Sequence, residues 1–242
     1  MNQDNKNKKV VDVAHLYKSF GNNIVLNNIS FALKKGENLV VLGKSGVGKS
    51  VLLRCIVRLS WPDSGTIEVF GADVLKLFED QLNVIRRKIG YLFQGGALYD
   101  SMTIKENILF PLKRSMKDYP ESEYDVLVDE VLESVGLLDA RDKVPSELSG
   151  GMKKRAGLAR TLILKPEIIL YDEPTSGLDP FTSQDISELI IEIKEKFNNS
   201  SIIVTHDMKS AKKTADRILV MDDGRFVSEG TYDDLKETKW MI

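Results

Sequence analysis

Short runs of β-branched and aliphatic residues alternate along the chain with stretches in which apolar side chains recur every three or four positions. That alternation predicts strand–helix units built on a largely parallel sheet. The strand candidates are 39–42, 89–93, 168–171, 202–204 and 218–220, and several are apolar throughout, as expected of interior strands covered on both faces. After Asp179, placed to cap, and Pro180 in the first turn, Ile186, Leu189, Ile190, Ile193 and Phe197 form one helical stripe. A second amphipathic helix is predicted from about 123 to 135, with Val128, Val131, Leu132 and Val135 on its apolar face. Asp223-Gly224, between two β-rich runs, predicts a tight hairpin. From about Gly95 to Lys154 the texture changes. No convincing buried strand occurs there, and Pro111, Pro120 and Pro145 read as breaks, which predicts a helical insertion between two strand-rich halves.

Composition narrows the class. With 242 residues, 42% hydrophobic and 29% charged, the chain has the make-up of a soluble globular protein and enough length for a substantial core. A net charge of −2 argues against a general nucleic-acid binder, which needs a basic surface. The compact clusters Arg86-Arg87-Lys88 and Lys153-Lys154-Arg155 read as solvated helix faces. The apolar window 51–59 is interrupted by Arg54 and Arg58, so no membrane span is predicted. The polar stretch 1–9 lacks an apolar signal core and reads as a frayed tail, which argues against export. Cys55, the single thiol, sits in an apolar run and reads as small hydrophobic packing in a reducing compartment.

The candidate chemistry begins at Gly43-Lys44-Ser45-Gly46-Val47-Gly48-Lys49-Ser50, which fits G-x-x-x-x-G-K-[ST] and lies between a predicted strand and a helical run starting at Val51. Glycines allow the backbone N–H groups to wrap a phosphate chain, and the helix start adds partial positive charge. Lys49 would bridge the β- and γ-phosphates, and Ser50 would offer its hydroxyl to Mg²⁺. The strand 168–171 runs into Asp172 and Glu173. Alone, that pair reads as a solvated strand end. Beside a phosphate loop, Asp172 becomes a Mg²⁺ ligand, direct or through water, and Glu173 the group that orients and deprotonates the attacking water. His206 also follows an apolar strand and could contact the γ-phosphate or that water, whereas His15 reads as structural.

With these pieces in order, the chain resembles the ATP-binding cassette family over nearly its whole length. Leu148-Ser149-Gly150-Gly151-Met152 is similar to the family signature, Gln94 to the Q-loop residue, Ser176-Gly177-Leu178-Asp179 to the D-loop and His206 to the switch histidine. Phe20 fits the aromatic that stacks on adenine, with Tyr17 close enough to compete. The resemblance implies an α/β fold: a P-loop NTPase (RecA-like) core with an antiparallel β subdomain and an inserted α-helical subdomain. It also implies a single domain over 1–242, its core at about 10–94 and 159–242 and its helical part at about 95–158. ATP and Mg²⁺ are the expected cofactors, bound by residues 43–51, with Gln94 joining Ser50 and Asp172 around the metal and taking part in catalysis. The expected activity is ATP hydrolysis coupled to transmembrane transport. Two copies would pair head-to-tail, with Ser149, Gly150, Gly151 and Asp179 at the shared nucleotides. An integral-membrane permease would dock near Leu98, Tyr99 and Met102, placing the protein peripherally on the cytoplasmic face of an inner membrane. The signature ends in Met152 where Gln is usual. Together with the stretch 93–111, this is similar to the Mla-type ATPases, which implies lipid transport with an MCE-domain partner. Another importer or exporter, or a regulatory ATPase of the cell-division type, is the alternative.

Overall fold

The computed structural model describes residues 8–116 and 119–238, so most of the stretch read as a frayed tail, residues 1–7, lies outside the described residues. In chain order the elements are β1 Lys9–Phe20, β2 Asn23–Lys34, β3 Asn38–Leu42, α1 Lys49–Ile56, β4 Ser64–Val69, β5 Ala72–Asp73, α2 Glu79–Arg86 and β6 Ile89–Leu92. They continue with α3 Ile104–Ser115, α4 Tyr124–Ser134, α5 Gly150–Leu162, β7 Ile168–Asp172, α6 Pro180–Phe197, β8 Ser200–Thr205, α7 Met208–Thr214, β9 Arg217–Asp222, β10 Arg225–Gly230 and α8 Tyr232–Leu235. Six strands form one sheet in the order β10-β9-β3-β8-β7-β6, parallel except for the β9–β10 hairpin. The other sheet is antiparallel, in the order β2-β1-β4-β5.

The apolar runs build this core through the two-residue period of a strand. Val40, Leu42, Ile169, Tyr171, Ile203, Ile218 and Val220 pack on one face with α3 to α7. Their neighbours Leu39, Val41, Ile168, Leu170, Ile202, Val204, Leu219 and Met221 pack on the other with α1, α2 and the antiparallel sheet. Every residue of β3, β7 and β8 is therefore buried. Cys55 lies in the second cluster, fully buried, and burial pushes its thiol up to about 11. It acts as a packing residue.

The architecture is the one the resemblance implied. β1 shows no clean alternation in sequence, because bulges interrupt it. The β1–β2 register shifts between Val13 and Leu16, where His15 takes a φ of 50° and its Nδ1 lies 2.9 Å from Asn28 Oδ1. Among the described residues, no strand occurs between β6 and β7, in keeping with a helical insertion. Pro111 departs from expectation: it is inside α3 and does not break it, because Ile104, Ile108, Leu109 and Leu112 anchor the helix on both sides and a Thr103–Glu106 capping box starts it. α5 runs unbroken through 158/159, so the helical layer and the core share this helix.

Gly65 of β4 faces the β1 bulge with a φ of 103°, and an added Cβ would lie 2.5 Å from His15 O and 2.7 Å from Leu16 Cα. Gly65→Ala combines backbone strain with overpacking, an expected loss of about 2–5 kcal/mol. Urea unfolding reads this as a lower midpoint; an unchanged midpoint contradicts the bulge packing.

Candidate active site

Because β8 pairs in parallel with both β3 and β7, the carboxyl ends of these three strands lie side by side. The loop from Gly43 leaves β3 and turns into α1 at Gly48, whose φ is 106° and whose Cβ would lie 2.6 Å from Val25 O. Only glycine fits there. No side chain caps α1, and its first turn has no acid, so its N–H groups stay available to an anion. Lys49 folds back, its Nζ donating to Gly43 O at 2.8 Å and Lys44 O at 2.9 Å. The same ammonium lies 3.1 Å from Glu173 Oε1, and both residues are buried.

Glu173 follows β7 with a φ of 50°, its N–H donating to Val204 O at 3.0 Å. Its Oε2 lies 2.8 Å from Nδ1 of His206, just past β8. The carboxylate thus stands between a lysine and a histidine. Beneath it, Ser50 Oγ donates to Asp172 Oδ1 at 2.6 Å, and Tyr91 OH donates to Oδ2 at 3.0 Å. Burial first, then the charge of Asp172, push the Tyr91 phenol above its usual range, so it stays a donor.

A cavity of about 350 Å³ joins Phe20, Ser45, Gly46, Gly48, Lys49, Ser50, Val51, Gln94, Glu173 and His206 with Val25 and Ser176. Phe20 is half exposed, and Lys18 Nζ lies 5.0 Å from its ring centroid. Tyr17 lines a different cavity with Asn27, Asn28 and Arg225. Of the two aromatics the sequence leaves in competition, only Phe20 is on this cavity. The Gln94 amide donates to Ser176 Oγ at 3.2 Å. Gly43, Lys44, Val47 and Asp172, also expected at the site, are not among the residues lining this cavity.

Ser149, Gly150, Gly151 and Asp179 are not among the residues lining this cavity. Ser149 caps α5 by accepting from Met152 N at 3.3 Å, while Asp179 caps α6 by accepting from Phe181 N at 3.0 Å and Thr182 N at 3.1 Å. The two caps adjoin, since a Cβ on Gly151 would lie 2.4 Å from Thr182 Cγ2. The Thr182 hydroxyl, ahead of the backbone donors, holds the Asp179 carboxyl below its usual range. Met152 is partly buried against the helical core.

The basic clusters are solvated only in part: Arg87 and Lys88 are exposed, whereas Lys154, Arg155 and Arg86 turn inward. Lys154 is buried, donating to Gln94 O and, at 3.2 Å, to Glu173 O, and Arg155 donates to Val135 O at 2.9 Å. Arg86 donates to Val57 O and Arg58 O and pairs with Glu79. Tyr91, Val25 and Lys154 are contributors the sequence reading missed. Among the described residues, no group of three or more His, Cys, Asp or Glu side chains could hold a metal ion. The Ser50 hydroxyl and Asp172 carboxylate still make a hard oxygen pair suited to Mg²⁺ when phosphate and water oxygens supply the remainder.

A phosphate loop, an acid-ended strand beside it and a helical layer bearing a glycine-rich cap define an ATP-binding cassette. A family model described as "ABC transporter" matches residues 26–176, and the chain belongs to that family. Methionine import ATP-binding protein MetN of Carboxydothermus hydrogenoformans is 44% identical over 215 residues, covering 89% of this chain and 63% of the relative. The protein of that name from Brucella abortus (strain 2308) is 39% identical over 221 residues, covering 91% of this chain and 59% of the relative. The chain thus spans about three fifths of the length of these relatives. Among solved structures, a dimeric post-hydrolysis state of the ATP-binding cassette MJ0796 bound to ADP and Pi superposes with a TM-score of 0.83 at 32% identity, covering 91% of this chain and 98% of that one. CbiO1 from Clostridium perfringens, part of the ABC transporter complex cbiONQ, gives 0.86 at 28% identity, covering 96% and 92%.

These relatives overturn the Mla-type reading, with its lipid cargo and MCE-domain partner. That reading rested on Met152 and the short stretch 93–111, whereas likeness to methionine importers extends over most of the chain.

Stacking of a base on an aromatic ring contributes about 1–3 kcal/mol, so Phe20→Ala is expected to weaken adenine-nucleotide binding by about 5- to 150-fold while Tyr17→Ala leaves it unchanged. Equilibrium titration with a fluorescent ATP analogue checks this, and the reverse ranking contradicts the placement of Phe20.

Proposed function

We propose that this chain is the ATP-hydrolysing subunit of an ABC importer, with methionine the solute best supported by its relatives. The observation that carries the enzymatic reading is the Glu173 carboxylate, held between Lys49 Nζ and His206 Nδ1 on a cavity that also presents Phe20 and the phosphate loop. Phe20 stacks on the adenine, and the loop amides with Lys49 hold the β- and γ-phosphates. Ser50, Asp172 and Gln94 would hold Mg²⁺, which when bound draws charge from the phosphate oxygens. Glu173 accepts the proton of the attacking water, and His206 fixes the carboxylate and reaches toward the γ-phosphate.

Ser149, Gly150, Gly151 and Asp179 are assigned to the nucleotide of a second copy. Two things support this: the signature and D-loop caps are absent from the lining of their own chain's cavity, and the similar MJ0796 cassette is dimeric. The membrane partner docks at a groove of about 340 Å³ lined by Tyr91, Phe93, Tyr99, Phe110, Pro111 and Arg160, among others. Of the residues expected there, Tyr99 lines this groove, Met102 a neighbouring one, and Leu98 packs on the core. Among the described residues no helix is long and apolar enough to cross a membrane, which fits a subunit held by that partner on the cytoplasmic side. Solute choice belongs to the partner proteins, so the import reading rests on the relatives alone.

Glu173→Gln is expected to lower ATP turnover by about 10²- to 10⁴-fold while MgATP still binds. In vesicles carrying the subunit with its membrane partner, uptake of labelled methionine should require ATP and disappear with the same substitution. Parental turnover in Glu173→Gln sinks the catalytic assignment; ATP turnover without methionine uptake sinks the solute assignment.

A further inference from the structure

Three residues spaced three apart on α5, Lys154, Gly157 and Arg160, share one face and grip the main chain of 94–97. Arg160 donates from Nη1 to Ala97 O at 2.5 Å and from Nη2 to Gly96 O at 3.1 Å. Position 157 is glycine because a Cβ there would lie 2.9 Å from Gly96 O and 3.1 Å from Gly96 Cα. Lys154 extends the grip to the catalytic strand, since its ammonium reaches Gln94 O and Glu173 O.

These contacts close a ring. Ser176 N donates to the same Glu173 O at 3.2 Å, and Ser176 Oγ accepts from the Gln94 amide at 3.2 Å. Both hydrogen-bond partners of Lys154 are neutral carbonyls, although Asp172 and Glu173 attract its charge through space. A cation buried without an ion pair bears a desolvation cost that an apolar side chain would avoid. Glu173 in turn holds a backbone conformation rare for a residue with a side chain, and such conformations persist only where the surroundings over-determine them. The ammonium is one of the groups that does so.

We propose that Lys154 is a positioning residue for hydrolysis: lodged between the carbonyls of Gln94 and Glu173, it fixes the Q-loop main chain against the end of β7 and so sets where the Gln94 amide and the Glu173 carboxylate stand. The proposal rests on the ATPase reading for its kinetic consequence but not for its structural one. Since α5 begins at Ser149-Gly150-Gly151, the same ammonium ties the signature helix to the acid pair.

Lys154→Met removes the donors and the charge while keeping an unbranched side chain, and Lys154→Gln retains a neutral donor. Amide hydrogen exchange of the nucleotide-free protein is expected to speed up by about 10-fold or more at 94–97 and 173–177 in Lys154→Met, with 43–50 unchanged, as loss of hydrogen bonds from a charged donor predicts. With MgATP, kcat should fall by about the same factor at unchanged nucleotide affinity, and Lys154→Gln should recover part of it. Unchanged exchange at both segments overturns the proposal. So does acceleration over the whole chain including 43–50, or parallel loss of affinity and turnover, since those mark a merely structural lysine. If Lys154→Met does not fold, Lys154→Gln carries the same exchange comparison. Absence of ATP turnover in the parental protein would refute the proposed function and leave the exchange test intact.

Discussion

The site depends on one buried ion pair. Lys49 and Glu173 are 4% and 8% exposed, and their charged atoms meet at 3.1 Å. Either charge buried alone would cost several kcal/mol, so the fold must deliver both to the same place. It does so through strand order. Lys49 comes from the loop after β3, Glu173 from the end of β7, and β8, paired with both strands, brings His206 to the other oxygen of the Glu173 carboxylate. Carbonyls of Gly43 and Lys44 satisfy the remaining ammonium donors, which keeps the loop shaped around the space a phosphate chain would take. Asp172, the last residue of β7, meets Ser50 and Tyr91.

α5 is the second element on which the site's arrangement rests. Its start, capped by Ser149, rests on the start of α6, capped by Asp179, at a contact close enough that a Cβ on Gly151 would have to displace the Thr182 side chain. Its middle is held to the Q-loop main chain and to Glu173. One helix therefore connects caps that do not line the chain's own cavity with the main chain of Glu173, whose carboxylate does.

How much of this was legible in the sequence follows from the physics of each element. β3, β7 and β8 could be read because strands buried on both faces must be apolar throughout. The phosphate loop and the capped start of α6 could be read because backbone geometry restricts which residues serve there. β1 was hidden because bulges such as that at His15 destroy the alternation that marks a half-buried strand. Lys154 was misread because its charge suggests solvent, whereas burial is decided by what α5 packs against. The Tyr91–Asp172 bond depends on β6 and β7 being neighbours, which no local pattern encodes. The subfamily was misread for a different reason: Met152 and the stretch 93–111 are short, and likeness over most of the chain runs to other relatives.

Calorimetric titration of MgATP into Lys49→Ala tests the account most directly, because that substitution removes the ammonium while leaving the sheet that delivers Glu173 and His206 in place. The account predicts that nucleotide binding falls by about 10-fold or more, the scale of a lost charge-assisted contact, in a protein that still unfolds cooperatively. Parental affinity in a folded Lys49→Ala protein would contradict it.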